Sequence, residues 1–262
     1  MGDKTVDNIS DLHRYFTGLT YTDVQYKPFH NQLSKPEFLT LIKRLVGMAM
    51  GNWQQQILGT DVPMSAFKRI VAQDGSSFAV HDDSKDTFKR QFTTISPTAV
   101  ELHVSWDMLS SQPETISVSA DSVAEYDFLP KPATLVDSLF LADRGYFKFS
   151  YLDSIHQAAG YYAVRAKKTC NPLVVAGYNG QGKVLKRFKQ VKLKEVKKHI
   201  RKSGIVDMDV QGKTAYRMVA SWPKDKEEPG YWVSNLSREQ YTAATLIKLY
   251  SLRWQIELLF KE

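Results

Sequence analysis

The spacing of apolar residues in the first part of the chain is typical of a helix. In the segment SKPEFLTLIKRLVGMAM, Ser34 is suited to cap a helix that follows it. The apolar residues behind it share one helix face: Phe38, Leu41, Ile42 and Leu45. We therefore predict a small helical N-terminal region at residues 1–62.

After residue 62 the pattern changes to strands and turns. FKRIVAQDGSSFAVHD resembles two strands or one bent strand, and TAVELHVSWDML and ETISVSA alternate as strands do. SLFLADRGYF is an apolar strand that stops at Asp143 and turns at Gly145, KFSYLDSIHQAAG is typical of a helix, and YYAVRAKK of a strand. Strands followed by a strand–helix–strand unit predict an α/β domain with a mixed sheet, at residues 63–262.

The remaining pattern is strand-like until shortly before a final helix. Residues 171–235 carry turn signals at Asn179-Gly180, Gly212 and Pro229-Gly230, which indicates a β-rich segment. The final helix is predicted to begin at NLSREQ, where Ser237 and Gln240 match a capping box.

Three polar residues of the final helix fall on one stripe. At about 100° per residue, Arg253 lies about 60° and Glu257 about 20° from Tyr250. One interpretation is an ordinary ion pair between residues four apart on the polar edge of the helix. However, Leu246, Leu249 and Trp254 border the same stripe, and a carboxylate at the edge of a core needs a partner or a metal.

Two aspartates lie where the strand pattern places the ends of strands. Asp74 follows an apolar strand at Arg69–Ala72, and Asp143 closes the most apolar strand of the chain. Ligands of open α/β sheets bind at the carboxyl ends of strands. Together with Glu257, these acids are what a two-metal phosphoryl-transfer site requires, because Mg²⁺ prefers oxygen ligands. Each aspartate could instead be a turn or cap residue, and Asp82 and Asp83 rival Asp74 as the first acid.

Composition indicates which compartment the chain occupies and whether it is globular or membrane-spanning. Hydrophobic residues make up 43% and aromatic residues 12% of the 262 residues, which is enough for a sizeable core. A single cysteine, Cys170, permits no internal disulfide, which fits a reducing compartment. No apolar run approaches the ~18 residues of a membrane span, and the N-terminal residues are too polar for a signal peptide. We expect a soluble cytoplasmic protein without a membrane partner.

The positive charge is concentrated in one segment. Residues 165–202 hold thirteen Lys and Arg residues and one acid, whereas the rest of the chain has a net charge of −5. Such a segment is either a solvated face or a surface that binds nucleic acid. The basic candidates for contacts with DNA phosphate are Lys186, Arg187, Lys189 and Lys192.

Other patterns carry less weight. GYNGQGKV matches part of a phosphate-binding loop, but Val184 stands where Ser or Thr should hold Mg²⁺, so Asn-Gly is better interpreted as a hairpin turn. The histidines show no metal-ligand spacing, and no nucleophile elbow accompanies the Ser, His and Asp of SFAVHDDS.

Three blocks of the sequence resemble a known family. YSLRWQIELLFK is similar to the Y-x2-R-x3-E-x6-K signature of bacterial insertion-sequence transposases with a DDE catalytic domain. QDGSSFAVHD resembles the block around the first aspartate of that family, and LADRGYF the block around its second. The resemblance implies a ribonuclease-H-like fold, a mixed sheet flanked by helices with a β-rich insertion before the last catalytic helix.

The resemblance also implies a site and a reaction. Asp74, Asp143 and Glu257 would bind two Mg²⁺ or Mn²⁺ ions, and Tyr250 and Arg253 would contact DNA near the cleaved phosphate. The implied activity is cleavage at the ends of the element followed by strand transfer to target DNA, by a homodimer in the complex with DNA.

The C-terminal signature departs from the family at one position. The signature lysine would fall at position 264, beyond Glu262, which indicates a truncated chain. The alternatives to a transposase are therefore a catalytically inactive DNA-binding remnant, or a metal-dependent nuclease without strand transfer.

Overall fold

The computed structural model describes residues 8–42, 44–45, 48, 64–80, 83, 86–88, 98–212 and 215–260. The chain divides into two compact units, Met1–Ala49 and Met50–Glu262. The boundary predicted between residues 62 and 63 lies outside the described residues.

The first unit contains short helices. Helix α1 spans Ile9–Thr20, and Asn8 caps it by accepting a hydrogen bond from the backbone N–H of Asp11 at 2.9 Å. Helix α2 spans Tyr26–Leu33. The ring of Phe29 in α2 is buried and lies 5.4 Å from the ring of Phe16 in α1. Residues 36–42, in the segment predicted to be helical, are helical as well.

The second unit is built on one large sheet. Its described strands are β1 (Arg69–Ala79), β2 (Ala99–Asp107), β3 (Gln112–Ala120), β4 (Ser138–Ala142), β5 (Tyr161–Arg165), β6 (Leu173–Asn179), β7 (Val191–Lys192), β8 (Ile205–Gln211), β9 (Ala215–Ser221) and β10 (Gly230–Ser234). Their order across the sheet is β3-β2-β1-β4-β5-β10-β9-β8-β6-β7.

The first half of the sheet has parallel strands at its centre. Strand β4 pairs in parallel with β1 on one side and with β5 on the other, whereas β2 and β3 continue the sheet antiparallel beyond β1. All five residues of β4 are buried, as expected of a strand covered on both faces. The order β3-β2-β1-β4-β5 with these directions is a ribonuclease-H-like arrangement. The predicted fold class, a mixed sheet flanked by helices, is confirmed.

The second half of the sheet is antiparallel and extends the first half without a break. Strand β10 pairs with β5, and β9, β8, β6 and β7 follow in that order. Helix α4 (Leu193–Ser203) lies within this part of the chain, so the segment predicted to be strand-like also contains a helix. Its buried residues Val196 and Ile200 join the same hydrophobic core as Met208 of β8.

Helices cover both faces of the parallel strands. Helix α3 (Phe149–Gln157) buries Leu152 and Ile155 in the core that also contains Phe140 of β4. Helices α5 (Ala243–Ser251) and α6 (Trp254–Leu259) contact β5 and β1, respectively. Leu139 of β4, next to Phe140 and therefore on the opposite face, is also fully buried.

The final helix begins later than predicted. Ser237 accepts a hydrogen bond from the backbone N–H of Gln240, as a capping residue does, but only a turn follows it. Helix α5 starts at Ala243, where the side chain of Thr242 accepts a hydrogen bond from the backbone N–H of Thr245. The prediction that the helix begins at NLSREQ is therefore wrong.

Contacts from the sheet explain this shift. Arg217 of β9 donates hydrogen bonds to the backbone carbonyls of Leu236, Ser237 and Tyr241. The same guanidinium forms a buried ion pair with Asp207 of β8, at 2.7 Å. Because these carbonyls bind the arginine, the segment is held as a turn, and tertiary contacts override the local capping signal.

None of the helices among the described residues is both long enough and apolar enough to span a bilayer.

Candidate active site

Parallel pairing of β1 and β4 brings Asp74 and Asp143 to the same level of the sheet. The two strands pair as far as Gln73 and Ala142, the residues immediately before the two aspartates. Asp143 follows the last residue of β4, as predicted, whereas Asp74 lies inside β1, at the point where parallel pairing stops. The expectation that Asp74 follows the end of a strand is wrong, because β1 continues as the partner of β2. Both acids nevertheless share the edge where open α/β sheets bind ligands.

Two glycines next to these aspartates leave room for further acids. A Cβ atom at Gly75 would lie 2.5 Å from a carboxylate oxygen of Glu101, and one at Gly145 would overlap a carboxylate oxygen of Glu125. A side chain at either position would require the neighbouring glutamate to move.

A break between helices α5 and α6 shapes the closing segment. At the break, the backbone N–H groups of Leu252 and Arg253 bond to carbonyls three residues earlier, those of Leu249 and Tyr250. This tighter turn separates what the periodicity presents as one helix. Tyr250 therefore lies in the last turn of α5, Arg253 lies within the break, and Glu257 follows in α6.

Tyr250 and Arg253 connect the three acids. Arg253 donates from Nη1 to Asp74 Oδ2 at 2.8 Å, from Nη2 to Glu257 Oε1 at 2.6 Å, and from Nε to Tyr250 Oη at 3.0 Å. The hydroxyl of Tyr250 donates to Asp143 Oδ1 at 3.2 Å. One hydrogen-bonded network therefore joins distant parts of the chain, and its bond between Arg253 and Asp74 alone spans 179 positions.

The arginine and the acids of this network differ in depth. The Arg253 side chain is 3% exposed, whereas those of Asp74, Glu257 and Asp143 are 15%, 27% and 30% exposed. Asp74 and Glu257 line a cleft of about 260 Å³ together with Gly75, Ser76 and Phe260. The carboxylates thus face solvent, and the guanidinium lies behind them.

Burial makes the charge of Asp74 costly. Burial is the main cause that raises the pKa of Asp74 to about 6; Arg253 and the Gly75 N–H oppose it, and the charges of Glu257 and Asp143 add to it. Burial disfavours the charged form of Arg253 too, but Tyr250 and Asp74 raise its pKa above the ordinary value. The guanidinium is therefore a firmly charged counter-ion among carboxylates.

The structure adds residues that sequence reasoning missed. Arg165 Nη1 lies 3.6 Å from Asp143 Oδ1, and Arg144 Nε lies 4.0 Å from Asp143 Oδ2. Arg165 ends β5, the third parallel strand, so the rule on carboxyl ends of strands could have identified it.

Two further glutamates form a second group of acids near the aspartates. Burial raises the pKa of Glu101 to about 7, and the charges of Glu125 and Asp121 add to the effect. Burial and the charge of Asp143 raise the pKa of Glu125 as well. Glu101 lies within β2, where the alternating pattern of the sequence indicates a strand and gives no sign of a second acidic group.

The donor set suits a hard divalent cation. Three carboxylates from different elements converge, and a bound cation would favour the ionised form of the half-buried Asp74. Within the part of the chain that the structure describes, no three His, Cys, Asp or Glu side chains are already arranged around one ion position. Arg253 instead bridges Asp74 and Glu257.

The sequence offered two alternative sites, a first acid at Asp82 or Asp83 and a phosphate-binding loop at GYNGQGKV. Asp83 is exposed, and Asp82 lies outside the described residues. The GYNGQGKV segment is a tight turn after β6, closed by a hydrogen bond from Asn179 N to Lys183 O at 2.9 Å. Tyr178 and Val184 pair across it as an antiparallel bridge. The hairpin interpretation is therefore confirmed.

The basic segment presents its charges to solvent. The four predicted DNA contacts, Lys186, Arg187, Lys189 and Lys192, are all exposed. Helix α4 follows them directly and buries its apolar side, so its basic side remains outward. The exposed basic residues of this helix are Lys194, Lys198, Arg201 and Lys202. We call these eight residues the basic face.

Comparisons with known proteins agree with the three sequence blocks. A family model described as a transposase DDE domain matches residues 65–262. The transposase for insertion sequence element IS1151 of Clostridium perfringens is 24% identical over 238 residues, which cover 74% of this chain and 50% of that protein. This chain thus spans about half the length of the curated relative it matches.

A solved structure also matches at low similarity. It is endonuclease V from Ciona intestinalis in complex with a 23mer DNA containing an inosine followed by a ribo-adenosine. The TM-score is 0.33 and the identity 14%, over 82% of this chain and 97% of that chain. At this TM-score the likeness implies nothing further about the chain.

Proposed function

The chain belongs to the family of transposase DDE domains, and from that premise we propose that it catalyses metal-dependent phosphoryl transfer on DNA. The family predicted from the sequence blocks is confirmed. The specific reaction, its site and its partners are the proposal.

One observation carries the proposal. Asp74, Asp143 and Glu257 come from β1, the end of β4 and helix α6, and the Tyr250–Arg253 pair joins all three. An isolated ion pair on a helix surface would need neither aspartate. Acids that converge from distant parts of the chain at a ligand-binding edge support a site for cations and phosphate.

The roles of the residues follow from their chemistry. Asp74, Asp143 and Glu257 would hold two Mg²⁺ or Mn²⁺ ions through carboxylate oxygens. Such ions, when bound, supply the charge stabilisation that transfer of a phosphoryl group needs. Arg253 would hold a phosphate oxygen through its planar fork, and Tyr250 would hydrogen-bond the DNA backbone. Both side chains are buried behind the acids, so these contacts require Arg253 to move.

The basic face would bind the DNA backbone. Its lysines and arginines are exposed and concentrated in the segment before β8, where phosphate contacts would position the duplex without reading its sequence. We propose that the DNA comprises element ends and target, and that two copies of the chain act together on it.

The proposed reaction has two transfers. Water attacks the phosphodiester at the element end, which breaks the bond to the 3′-oxygen and frees a 3′-hydroxyl. That hydroxyl then attacks a target phosphodiester and displaces its 3′-oxygen, so that the element end is joined to target DNA.

The test is nicking of a duplex that carries the element end, in Mg²⁺ or Mn²⁺. We expect Asp143→Asn and Glu257→Gln to lower the nicking rate about a hundredfold or more, the size typical for removal of one electrostatic interaction with a transition state. Asp83→Asn is the matched control, since Asp83 is exposed, and it should nick at the rate of the unmodified chain.

Each other outcome selects an alternative. DNA binding without nicking by the unmodified chain would favour the non-catalytic remnant, and nicking without joining would favour a simple nuclease. If Asp83→Asn abolished nicking while Asp74→Asn did not, Asp74 would be the wrong first acid.

A further inference from the structure

We propose that Arg253 is a built-in counter-ion of the metal-free site, which divalent metal and DNA phosphate displace together, so that the two ligands bind cooperatively. The inference rests on the proposed function, because it takes Asp74, Asp143 and Glu257 as the metal ligands. It concerns how the same site is regulated before DNA arrives.

The first argument is the position of the guanidinium. Arg253 donates to a carboxylate oxygen of Asp74 and to one of Glu257, with its side chain 3% exposed. A cation that uses these two carboxylates must enter the space between them. Since Arg253 fills that space with positive charge, metal can bind there only if Arg253 withdraws or if the carboxylates turn away from it.

The second argument is the charge of the site. Three carboxylates meet there, and Arg253 contacts two of them directly and the third through Tyr250. The only other cationic contacts with these three acids among the described residues are those of Arg144 and Arg165, which lie 4.0 and 3.6 Å from Asp143. Withdrawal of Arg253 alone would leave Asp74, whose side chain is only 15% exposed, without its ion-pair partner, so the arginine stabilises the metal-free state.

The third argument is the destination of the arginine. Phosphate oxygens can accept two parallel hydrogen bonds from the planar fork of a guanidinium. Bound DNA would place a phosphate in the cleft where the metal binds. Arg253 lies in a break between two helices rather than in the interior of one. The arginine can therefore change its direction through a backbone adjustment at that break, with both helices left intact. The carboxylates then bind the metal, and the guanidinium binds the phosphate.

Reciprocity follows from thermodynamic linkage. If DNA raises the affinity of the chain for metal, metal must raise its affinity for DNA by the same factor. A chain of this design binds metal weakly until DNA is present, which delays assembly of a competent site until the substrate arrives.

The experiment measures Mn²⁺ binding by the electron paramagnetic resonance signal of free Mn²⁺, with and without a short DNA duplex. Mn²⁺ bound by the duplex alone is subtracted. For the unmodified chain we expect DNA to raise Mn²⁺ affinity about tenfold, within the usual range for coupled sites. Duplex binding followed by fluorescence anisotropy should strengthen by the same factor when Mn²⁺ is added.

The key variant is Arg253→Gln, which keeps hydrogen-bonding groups but removes the charge. It should bind Mn²⁺ about tenfold more tightly than the unmodified chain in the absence of DNA, and DNA should add little further. Arg144→Gln is the matched control, because it removes the same charge near Asp143 but leaves the Arg253 bridge intact. It should change Mn²⁺ affinity less and keep the effect of DNA.

The outcomes separate this inference from the proposed function. If Asp143→Asn abolishes Mn²⁺ binding, but DNA has no effect on the unmodified chain or Arg253→Gln binds no more tightly, the competition is refuted while the metal site stands. If Asp143→Asn and Asp74→Asn both leave Mn²⁺ binding unchanged, the acids are not the ligands and the proposed function fails as well. Absence of a DNA effect on the unmodified chain refutes the competition even if Arg253→Gln does not fold.

Discussion

At the scale of single residues, Arg253 determines the geometry of the candidate site. Three of its nitrogens have different partners, Asp74, Glu257 and Tyr250. A lysine has one nitrogen and no planar fork, so it could not bridge the same groups in the same way. The arginine of the closing segment is thus defined by its contacts as well as by its place on a helix stripe.

The buried acid Glu101 provides a residue-scale prediction about pH. Its pKa is raised to about 7 in the folded chain from an ordinary value of 4.5. A raised folded-state pKa contributes stability that is fully present below the unfolded value and lost as pH rises through the folded one. The free energy of unfolding should therefore fall between about pH 4.5 and 7, and Glu101→Gln should flatten that fall.

Urea unfolding at a series of pH values measures this effect. Asp74, whose pKa is also raised, contributes in the same direction, so the slope should decrease without disappearing. Glu239→Gln, at an exposed position, is the control and should keep the original pH dependence. An unchanged slope in Glu101→Gln would mean that burying the charged form of the Glu101 carboxyl does not cost stability.

The residues of the site were only partly predictable from sequence. Helix periodicity placed Arg253 and Glu257 on one stripe, and the structure shows the ion pair that this spacing allows. Periodicity carries no information on which distant residue faces the stripe, so the contact of Arg253 with Asp74 could not be predicted. The ordinary ion pair and the larger site are thus compatible, because the same arginine takes part in both.

At the scale of elements, the start of the closing helix shows where local signals fail. Ser237 and Gln240 form a local capping contact, but Arg217 binds three carbonyls around them and holds the segment as a turn. Strand β4 was predictable because its run of apolar residues is interrupted by no competing signal. Elements governed by local pattern were predicted, and those governed by a partner from elsewhere in the chain were not.

Helix α4 was obscured by its composition. The basic run that contains it has apolar residues at mixed spacings, which fit a strand or a helix equally. The structure resolves the choice through burial of Leu193, Val196 and Ile200, which lie three and four residues apart. Val184, in the same run, is exposed, so only part of the apolar set packs on the domain.

The ion pair of Arg217 and Asp207 gives a prediction at this scale. Both side chains are 7% exposed, and Arg217→Ala would leave the buried Asp207 with Arg238, at 3.1 Å, as its remaining ion-pair partner. We expect the free energy of unfolding to fall by about 1.5–3 kcal/mol, the usual cost of losing hydrogen bonds to a charged group that keeps another partner. Lys197→Gln, which removes the exposed pair with Glu228, should cost less than about 1 kcal/mol.

Denaturant unfolding of the two variants provides the comparison. Equal decreases for the buried and the exposed pair would contradict the assigned role of Arg217. The Arg217→Ala variant should also expose the backbone around residues 236–241 to faster hydrogen exchange, because its carbonyls no longer bind the arginine.

At the scale of the whole molecule, the basic face and the three candidate metal ligands lie on different parts of one sheet. The acids meet at the edge of the parallel strands, while the basic face belongs to the antiparallel half that continues from β5 through β10. The net charge of +7 therefore hides a strongly basic region beside an acidic remainder. A duplex that binds both parts would meet phosphate-binding residues on one and the proposed cation ligands on the other.

The basic face leads to a prediction about salt. Replacing Lys186, Arg187, Lys189 and Lys192 by Gln should weaken duplex binding, and the slope of log affinity against log salt should flatten by about one unit for each phosphate that the variant no longer binds. Fluorescence anisotropy over a range of salt concentrations measures both quantities. The control replaces Lys224 and Lys226, exposed lysines outside the basic face, and should leave the slope unchanged. A slope unaffected by the four substitutions would identify the segment as a solvated face.

The central claim is that Asp74, Asp143 and Glu257 together form a divalent metal site. The most direct measurement is a crystal structure of the chain with Mn²⁺, with the ions located by their anomalous scattering. The account predicts peaks in contact with all three carboxylates, about 4 Å apart if two ions bind, with the Arg253 guanidinium moved from between Asp74 and Glu257. Peaks bound to other acids such as Glu101 and Glu125, or no peak at saturating Mn²⁺ with Arg253 still bridging, would contradict it.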